Sequence, residues 1–443
     1  MIELVVISLL IILVLAYYTM GRNLSRPTIL YVTGFVFCSI VAYIYKVEWG
    51  LDKMSSITAY IIVGGAFVFY LLELYDYKKH QINDIKINIE SDDFIPIGKL
   101  KLVLFFFFQV IVYYLMAQSK MSYAMTDELS EALVEINNET KFENTLVKYP
   151  FYVQQPYNLC GAARALWPVL FSYYLFKSKK YFLHKLLIFV NFACAISGTL
   201  LSGGRTAILY DIIAFLSFCY ICYQFKNGWK GGLLPRKTMI MIASSAVIFS
   251  LTFAEIGYAI GRKESEHPLS IIFSIYCGAE IKNLDDYIQH PFKQGNESGL
   301  VAQYTFCGMY GKIDQRFKGI DESRKYFPDL RFNEYGSYPL GNVYTTYFNN
   351  ILDFGYAGTI VWTGFLAWVI ALLYRKVLKS SFWSNGRLDL WILFYAINIP
   401  AACFLSFFAN KLTETFTISG TIRGLLYWWF LIIFFQGRKT YKV

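Results

Sequence analysis

The stretch IELVVISLLIILVLAYY, residues 2–18, contains a single charged side chain, Glu3. An apolar run of about 20 residues is long enough to cross a hydrocarbon core of about 30 Å as a helix. This run has no basic n-region and no small-residue cleavage site, which argues against a removed signal peptide. The stretch therefore predicts a first membrane-spanning helix.

Runs of the same kind recur along the chain of 443 residues, which is 56% hydrophobic, 19% aromatic and only 16% charged. Soluble domains carry about 25% charged residues. We therefore expect an all-α polytopic membrane protein in which residues 1–443 form a single integral membrane domain. Eleven transmembrane helices are predicted, near residues 2–20, 28–45, 55–75, 100–118, 156–176, 181–201, 206–224, 238–257, 344–374, 388–408 and 416–436. The ninth run is too long to lie wholly in the membrane.

The distribution of basic residues predicts how the chain is oriented. With the N-terminus outside and the C-terminus inside, the inner segments hold 22 lysines and arginines and the short outer segments hold seven. Cytoplasmic loops of membrane proteins are enriched in these residues. The same retention of basic residues on the inner side accounts for the net charge of +10, so no nucleic acid partner is expected.

Two outer segments are predicted to be sizeable. Residues 119–155 form the first external loop, and residues 258–343 form the large external loop. Within the large loop, apolar residues recur at an imperfect spacing of about 3.6 between residues 270 and 288. This rhythm predicts an amphipathic helix that lies along the membrane surface.

Four arginines lie near the predicted outer ends of different spans: Arg164, Arg205, Arg262 and Arg423. Inserting a charged side chain at the centre of a span costs roughly 2.5–3.5 kcal/mol of free energy. Each of these arginines is therefore expected to have a compensating interaction. Each arginine alone is explained by snorkelling to lipid headgroups or by pairing with a nearby acid. Together they predict a site for an anionic lipid headgroup, a diphosphate in particular, because arginine binds phosphate bidentately.

The stretch GTLLSGGRTAILYDII, residues 198–213, places Arg205 at one of these outer ends. Its SGG string allows a tight reversal between two helices and leaves the N-terminus of the following span facing outward. Free backbone N–H groups at that end, with Arg205 beside them, predict an anion-binding corner. The alternative is a plain glycine hairpin whose arginine touches lipid phosphate.

Histidines and acids of the large external loop are the candidates for proton transfer. His290, His267, Glu280 and Asp285 are all candidate general bases, and the sequence does not rank them. The alternative for the two histidines, each of which precedes a proline, is a turn residue. The alternative for the two carboxylates is a solvated helix face. Asp353, near the outer end of the ninth span, is a candidate partner for one of the arginines.

The cysteines and histidines do not show the spacing of metal ligands. We therefore expect metal-independent chemistry and no cofactor.

Four features of the sequence resemble the Wzy-type oligosaccharide repeat unit polymerases of bacterial O-antigen and capsule pathways. Three are short strings: LLSGGRTAIL at residues 200–209, YCGAEIKNLDDYI at 276–288 followed by GLVAQYTFCGMYGKI, and NVYTTYFNNILDFGYAG at 342–358. The fourth is the plan of about eleven spans with one large external loop. The resemblance runs over most of the chain.

This resemblance implies a GT-C-like membrane glycosyltransferase in the bacterial inner membrane, with its active site facing the periplasm. Such enzymes transfer a growing glycan from undecaprenyl diphosphate onto a new lipid-linked repeat unit of lipopolysaccharide or capsule. By matching position, Arg205 is expected to contact the diphosphate. The other strings add substrate-binding residues without assigning their roles: Tyr276, Asn283, Asp285, Asn342, Tyr344 and Asp353. The implied partners are the lipid-linked oligosaccharide, membrane lipids and a polysaccharide chain-length regulator.

Two other functions remain open from the sequence. An O-antigen ligase or related GT-C transferase would share the fold and the arginine site and would differ in its acceptor. A lipid-linked oligosaccharide flippase or other transporter would carry charges through the whole depth of the membrane. The predicted charges in spans gather toward the outer face, with Asp211 as a deeper exception.

Overall fold

The structure, a computed structural model, describes most of the chain. The described residues are 1–80, 97–139, 149–175, 181–201, 206–227, 231–232, 269–295, 299–317, 325–336, 338–379, 383–384, 387–417 and 419–435. The eighth predicted span, residues 238–257, lies outside them. So do three of the predicted site residues, Arg205, Arg262 and His267.

Helices make up 79% of the described chain. The long apolar runs form helices because every backbone N–H and C=O group is then paired within its own segment. In chain order the helices are α1 Ile2–Thr19, α2 Pro27–Ile44, α3 Ser56–Lys79, α4 Lys99–Ala124, α5 Leu129–Asn138, α6 Phe151–Leu175, α7 Phe182–Leu200, α8 Thr206–Lys226, α9 Leu269–Cys277, α10 Ala279–Gln289, α11 Cys307–Phe317, α12 Tyr347–Lys379, α13 Leu390–Phe404, α14 Lys411–Thr417 and α15 Ser419–Phe435.

Eight of the described helices are long and apolar enough to cross a membrane. They are α1 to α4, α7, α8, α12 and α13, and they confirm eight of the predicted spans as membrane-span candidates. The predicted fifth span corresponds to α6, a helix of 25 residues that carries Arg164 and two internal prolines and is not among the eight. The predicted eleventh span corresponds to a shorter apolar helix, Thr421–Phe435, within α15.

Two short antiparallel hairpins depart from the predicted all-α fold. β1, Asn333–Tyr335, pairs with β2, Tyr338–Gly341, and β3, Trp383–Ser384, pairs with β4, Arg387–Leu388. The β1–β2 hairpin lies in the predicted large external loop and packs on α10. The end of the bundle at which α9, α10, α11 and this hairpin lie is called the loop end.

The predicted first external loop, residues 119–155, is partly helical. Helix α4 continues to Ala124, α5 occupies Leu129–Asn138, and α6 begins at Phe151. Helix α5 turns Ala132, Leu133 and Ile136 inward, which attaches this acidic segment to the end of α4.

Helix α2 lies at the centre of the bundle and contacts α1, α3, α12 and α13. The hydroxyl of Tyr31 in α2 bonds to that of Tyr347 in α12 (2.7 Å), and the Tyr31 ring stacks on Phe69 of α3 with centroids 4.5 Å apart. Gly34 lets α2 lie directly against the end of α13, because a Cβ at this position would overlap the carbonyl oxygen of Phe404.

The predicted ninth span, residues 344–374, corresponds to α12, which is 33 residues long and is not continuous. Gly355 has φ 64° and ψ −172°, a backbone conformation that is essentially restricted to glycine. The break separates the first two turns of α12, at the loop end, from the long apolar remainder.

The helix predicted to lie along the membrane surface is two helices, α9 and α10, which meet at Gly278. A Cβ on Gly278 would lie 2.7 Å from the side chain of Val41 in α2. Residues 279–285 of α10 are all buried, and α10 packs on α2, α3 and β2. The solvated helix face considered for Glu280 and Asp285 is not found, because both side chains are buried against other elements of the bundle.

The contact between α2 and α13 can be tested at Gly34. We expect Gly34→Ala to destabilise the protein by about 1–3 kcal/mol, the usual cost of overpacking, because the methyl group meets a backbone carbonyl. The measurement is the thermal unfolding midpoint of the purified protein in detergent.

Gly161 of α6 is the matched control, since nothing lies within 4 Å of a Cβ at that position. Alanine there should be neutral or slightly stabilising, because it is the better helix former. Equal midpoints for Gly34→Ala and Gly161→Ala would contradict the close approach of α2 and α13.

Candidate functional site

An ion pair joins α6 and α8. The sequence predicts Arg164 near the outer end of its span, whereas it lies near the middle of α6 and not close to the first turn. Nε of Arg164 in α6 lies 2.9 Å from Oδ2 of Asp211 in α8, and the side chains are 19% and 4% exposed. The N–H is not aligned for a hydrogen bond to this oxygen, so the contact is electrostatic. The structure therefore gives Arg164 a nearby acid as a partner, and it explains how Asp211 is accommodated deep within a span.

Arg423 stands on a neighbouring helix, α15, and is exposed. Two hydrogen bonds attach α15 to α6. The Tyr427 hydroxyl donates to Gln155 (2.8 Å), and the Trp428 indole N–H donates to the carbonyl of Ala162 (2.9 Å). Because Arg423 precedes Tyr427 by one turn, two of the predicted arginines lie on helices that are in direct contact.

A third cation, Lys312 of α11, was not predicted as a site residue. Its side chain is exposed, but the protein atoms packed around it, and then the positive charge of Arg423, lower the pKa of its ammonium group. Such repulsion places the two cations within electrostatic reach of each other. Lys312 belongs to one of the strings that carry the family resemblance, but nothing in the sequence indicates that α11 folds back toward α15.

Asp353 positions α11, and within the described part of the chain it pairs with backbone groups and not with an arginine. Its carboxylate accepts the backbone N–H groups of Tyr304 and Thr305, in the turn that leads into α11. The amide of Asn410 donates to the carbonyl of Thr305 (3.3 Å). This turn is therefore held from both α12 and the segment before α14, and the pairing considered for Asp353 in the sequence is not found, because backbone groups occupy the carboxylate.

Among the cations of α11, α14 and α15 whose side chains the structure describes, one has an ion-pair partner and two do not. Lys411 of α14 is neutralised by Glu414 at 2.7 Å, and α14 packs on α11 and α15. Among the described residues, neither Arg423 nor Lys312 has an ion-pair partner. Neighbouring cations that lack acids are the arrangement that binds phosphate oxygens.

Asp285, one of the predicted catalytic carboxylates, is 1% exposed and fully engaged. It accepts hydrogen bonds from the backbone N–H of Ser55 (2.9 Å), the Thr58 hydroxyl (2.6 Å) and the Gln289 amide (2.7 Å). Two of these donors lie at the start of α3, whose first N–H groups have no partner within the helix. Asp285 therefore joins α10 to α3.

Glu280, the other predicted catalytic carboxylate, is 0% exposed. One oxygen accepts the thiol of Cys38 in α2 (3.7 Å), and the other has no hydrogen-bond partner. Burial raises the pKa of Glu280 to about 8, so its carboxyl is mostly neutral at pH 7. A general base must be reached by its substrate, and in this structure Glu280 and Asp285 are enclosed.

Asn283 and Tyr344 are brought together through a residue that was not predicted. The amide of Asn333 in β1 donates to Oδ1 of Asn283 (2.9 Å) and to the Tyr344 hydroxyl (3.0 Å). Asn283 in turn donates to the carbonyls of Leu340 (3.2 Å) and Val343 (2.8 Å). These bonds fix the β1–β2 hairpin on α10.

The remaining described candidates lie near the ends of α9 and α10 and after β2. His290 follows α10 and is exposed; its backbone N–H donates to the carbonyl of Asp286 (2.8 Å). Tyr276 is half-buried and its ring stacks on Phe408, with centroids 6.2 Å apart. Asn342 is half-buried directly after β2. His290 is therefore the exposed member of the described candidates for a general base.

The predicted set of four arginines is seen in part. Arg164 and Arg423 come to adjoining helices, whereas Arg205 and Arg262 lie outside the described residues. Helix α8 begins at Thr206, directly after Arg205. In the part of the chain that the structure describes, no three His, Cys, Asp or Glu side chains are grouped so that they could hold a metal ion.

No family model, curated protein or solved structure matches the chain. The helical content and the eight candidate spans fit an all-α polytopic membrane protein.

The buried carboxyl of Glu280 can be tested by stability. Its ordinary pKa of 4.5 in the unfolded chain and its raised pKa of about 8 in the fold mean that ionisation favours unfolding. The resulting loss in the free energy of unfolding is absent below about pH 4.5, grows as the pH rises toward 8, and then levels off. We expect Glu280→Gln to match the wild-type unfolding midpoint near pH 4.5 and to exceed it at pH 8.

Asp285→Asn is the contrasting variant. Removing an ionised acceptor of three hydrogen bonds should destabilise the protein by about 1–3 kcal/mol at pH 7. A Glu280→Gln protein that is less stable than wild type at pH 8 would contradict the buried, weakly partnered carboxyl.

Proposed function

We propose that the protein is a membrane glycosyltransferase that polymerises oligosaccharide repeat units linked to undecaprenyl diphosphate, on the outer face of the bacterial inner membrane. The observation that carries the proposal is a pair of cations that have no ion-pair partner among the described residues, Arg423 and Lys312, beside the helix that bears Arg164. The family resemblance supports the same function and adds Arg205 to this group.

The proposed reaction explains why cations without partners are useful. A hydroxyl of the acceptor sugar attacks the anomeric carbon of the growing glycan, a new glycosidic C–O bond forms, and the C–O bond to the lipid diphosphate breaks. Negative charge develops on the leaving diphosphate, and fixed positive groups stabilise that charge in the transition state. A cation that is already neutralised, such as Lys411, contributes less.

The hydroxyl proton needs an acceptor, and His290 is our proposal for it. Among the predicted bases within the described chain, Glu280 and Asp285 are enclosed by α2, α3 and α10, whereas His290 is exposed. A neutral imidazole accepts a proton near physiological pH and releases it to water afterwards.

The first test of the function is a gel of surface polysaccharide from a strain in which the gene is deleted, beside the complemented strain. Loss of polymerisation alone leaves lipid core that bears a single repeat unit, which is the expected result. If no repeat unit reaches the core, the block lies at flipping or ligation, and the polymerase proposal fails in favour of one of those functions.

Arg423 tests the cationic site within that assay. We expect Arg423→Ala to lower polymer formation by about 10²-fold, the usual cost of losing one group that stabilises a developing anion. Arg423→Lys should restore only part of it, because lysine lacks the bidentate fork. The readout is the ladder on the same gel, with protein level measured by immunoblot.

Lys79→Ala is the matched control, since Lys79 is an exposed cation at the opposite end of α3 from the loop end. It should leave the ladder unchanged. A normal ladder in Arg423→Ala would remove Arg423 from the proposed site.

His290 is tested separately. His290→Ala should lower polymer formation by about 10²–10⁴-fold, as expected for loss of a general base, with no change in unfolding midpoint because the side chain is exposed. Lys293→Ala, an exposed change three residues away, serves as the control. Full activity of His290→Ala would exclude this residue as the base.

A further inference from the structure

Lys120 is a buried cation that the proposed reaction has not used. It lies in the last two turns of α4 and is 6% exposed. Its ammonium donates to the hydroxyl of Tyr149 (3.1 Å) and lies 5.1 Å from the centroid of that ring. Both contacts are with a neutral side chain.

No carboxylate forms an ion pair with Lys120 among the described residues. The acid that belongs to this region, Glu139, accepts a hydrogen bond from Tyr123 instead (2.9 Å). The other deeply placed cations differ, because Arg164 has Asp211 and Arg26 has Glu73 (3.5 Å). A buried ammonium is costly when no opposite charge compensates it, and no acid within the described chain compensates Lys120.

The surroundings of Lys120 favour an anion from the membrane. Tyr149 stands two residues before α6, and the first N–H groups of a helix have no partner within it and carry partial positive charge. The side chains at the start of that helix, Phe151 and Tyr152, are 77% and 71% exposed. Tyrosine is enriched at the depth of lipid headgroups in membrane proteins, so the exposed Tyr152 favours that depth for the start of α6.

This position lies on different elements from the first pair of cations. Lys120 is on α4 and Tyr149 precedes α6, whereas Lys312 and Arg423 are on α11 and α15.

We propose that Lys120 and the first turn of α6 form a second anion site, which binds the phosphate headgroup of a membrane lipid. Its assignment to the lipid-linked acceptor rests on the proposed function, because a polymerase holds two lipid diphosphates at once. The binding of a lipid phosphate does not rest on that function.

The experiment measures binding and not turnover. An Arg423→Ala, Lys312→Ala, Arg205→Ala background removes the proposed cations of the first site. In that background, the unfolding midpoint of the purified protein in detergent is titrated with farnesyl diphosphate, and separately with inorganic pyrophosphate. We expect farnesyl diphosphate to raise the midpoint at lower concentration than pyrophosphate does.

Adding Lys120→Met should weaken the response to farnesyl diphosphate by about tenfold or more, the effect of losing one charged hydrogen bond. Lys120→Arg should keep the response, and Lys53→Met, an exposed lysine in the 45–55 segment, should not alter it. Lys120→Gln is the substitute if the methionine variant does not fold.

Three results would overturn the proposal. An unchanged response in Lys120→Met and Lys120→Gln would leave Lys120 as a structural residue that interacts with the C-terminal end of its own helix. An equal response to pyrophosphate would assign the site to free phosphate and not to a lipid. Absence of any response in the Arg423→Ala, Lys312→Ala, Arg205→Ala background would remove the second site. The polysaccharide gel reports the reaction independently of all three.

Discussion

Water is absent from the hydrocarbon core of a membrane, and this constraint determines most of the structure. Backbone groups that find no partner in lipid cost several kcal/mol each, so the spanning segments are helices. Interruptions of the helices are found where the freed backbone groups can still find partners. Gly355 breaks α12 at the loop end, next to exposed residues, and α6 accommodates Pro156 and Pro168 in a helix that packs on α7, α8 and α15.

Because burying a charge in this environment is costly, the partner of each buried cation indicates its role. At the end of the bundle opposite the loop end, Arg26 is paired with Glu73, and its guanidinium lies over the rings of Tyr77 (4.4 Å) and Tyr374 (5.1 Å). That cation is compensated within the protein and joins α2 to α3. A compensated ion pair of this kind contributes to a specific packing arrangement and offers little to a ligand.

Three cations nearer the loop end are not compensated in this way. Lys120, Lys312 and Arg423 lack an ion-pair partner among the described residues, and they sit on α4, α11 and α15. Exposed lysines such as Lys79 at the opposite end also lack one within the described chain, so what singles out Lys120 is its burial.

The spans could be predicted from sequence because an apolar run of sufficient length has few alternatives. The burial of α10 could not be predicted, since AEIKNLDDYIQ has the composition of an exposed helix and its burial depends on distant partners. Asp285 bonds to Ser55 and Thr58, more than 200 positions away in the chain, and no local pattern reports such contacts. Lys312 was not predicted as a site residue for the same reason, because its position depends on the turn that Asp353 holds in place.

The number of anion sites bears on the choice between a polymerase and a ligase. A ligase transfers glycan from one lipid diphosphate to a different kind of acceptor, whereas a polymerase brings together two molecules that both carry a lipid diphosphate. One cationic group at headgroup depth would serve either reaction. Two groups on different helices, Lys312 with Arg423 and Lys120 with the start of α6, match the demand of two similar substrates. Helix α6 contacts both α4 and α15, so in the proposed reaction it would hold the two lipids in a fixed relation while a sugar hydroxyl of one attacks the glycan of the other.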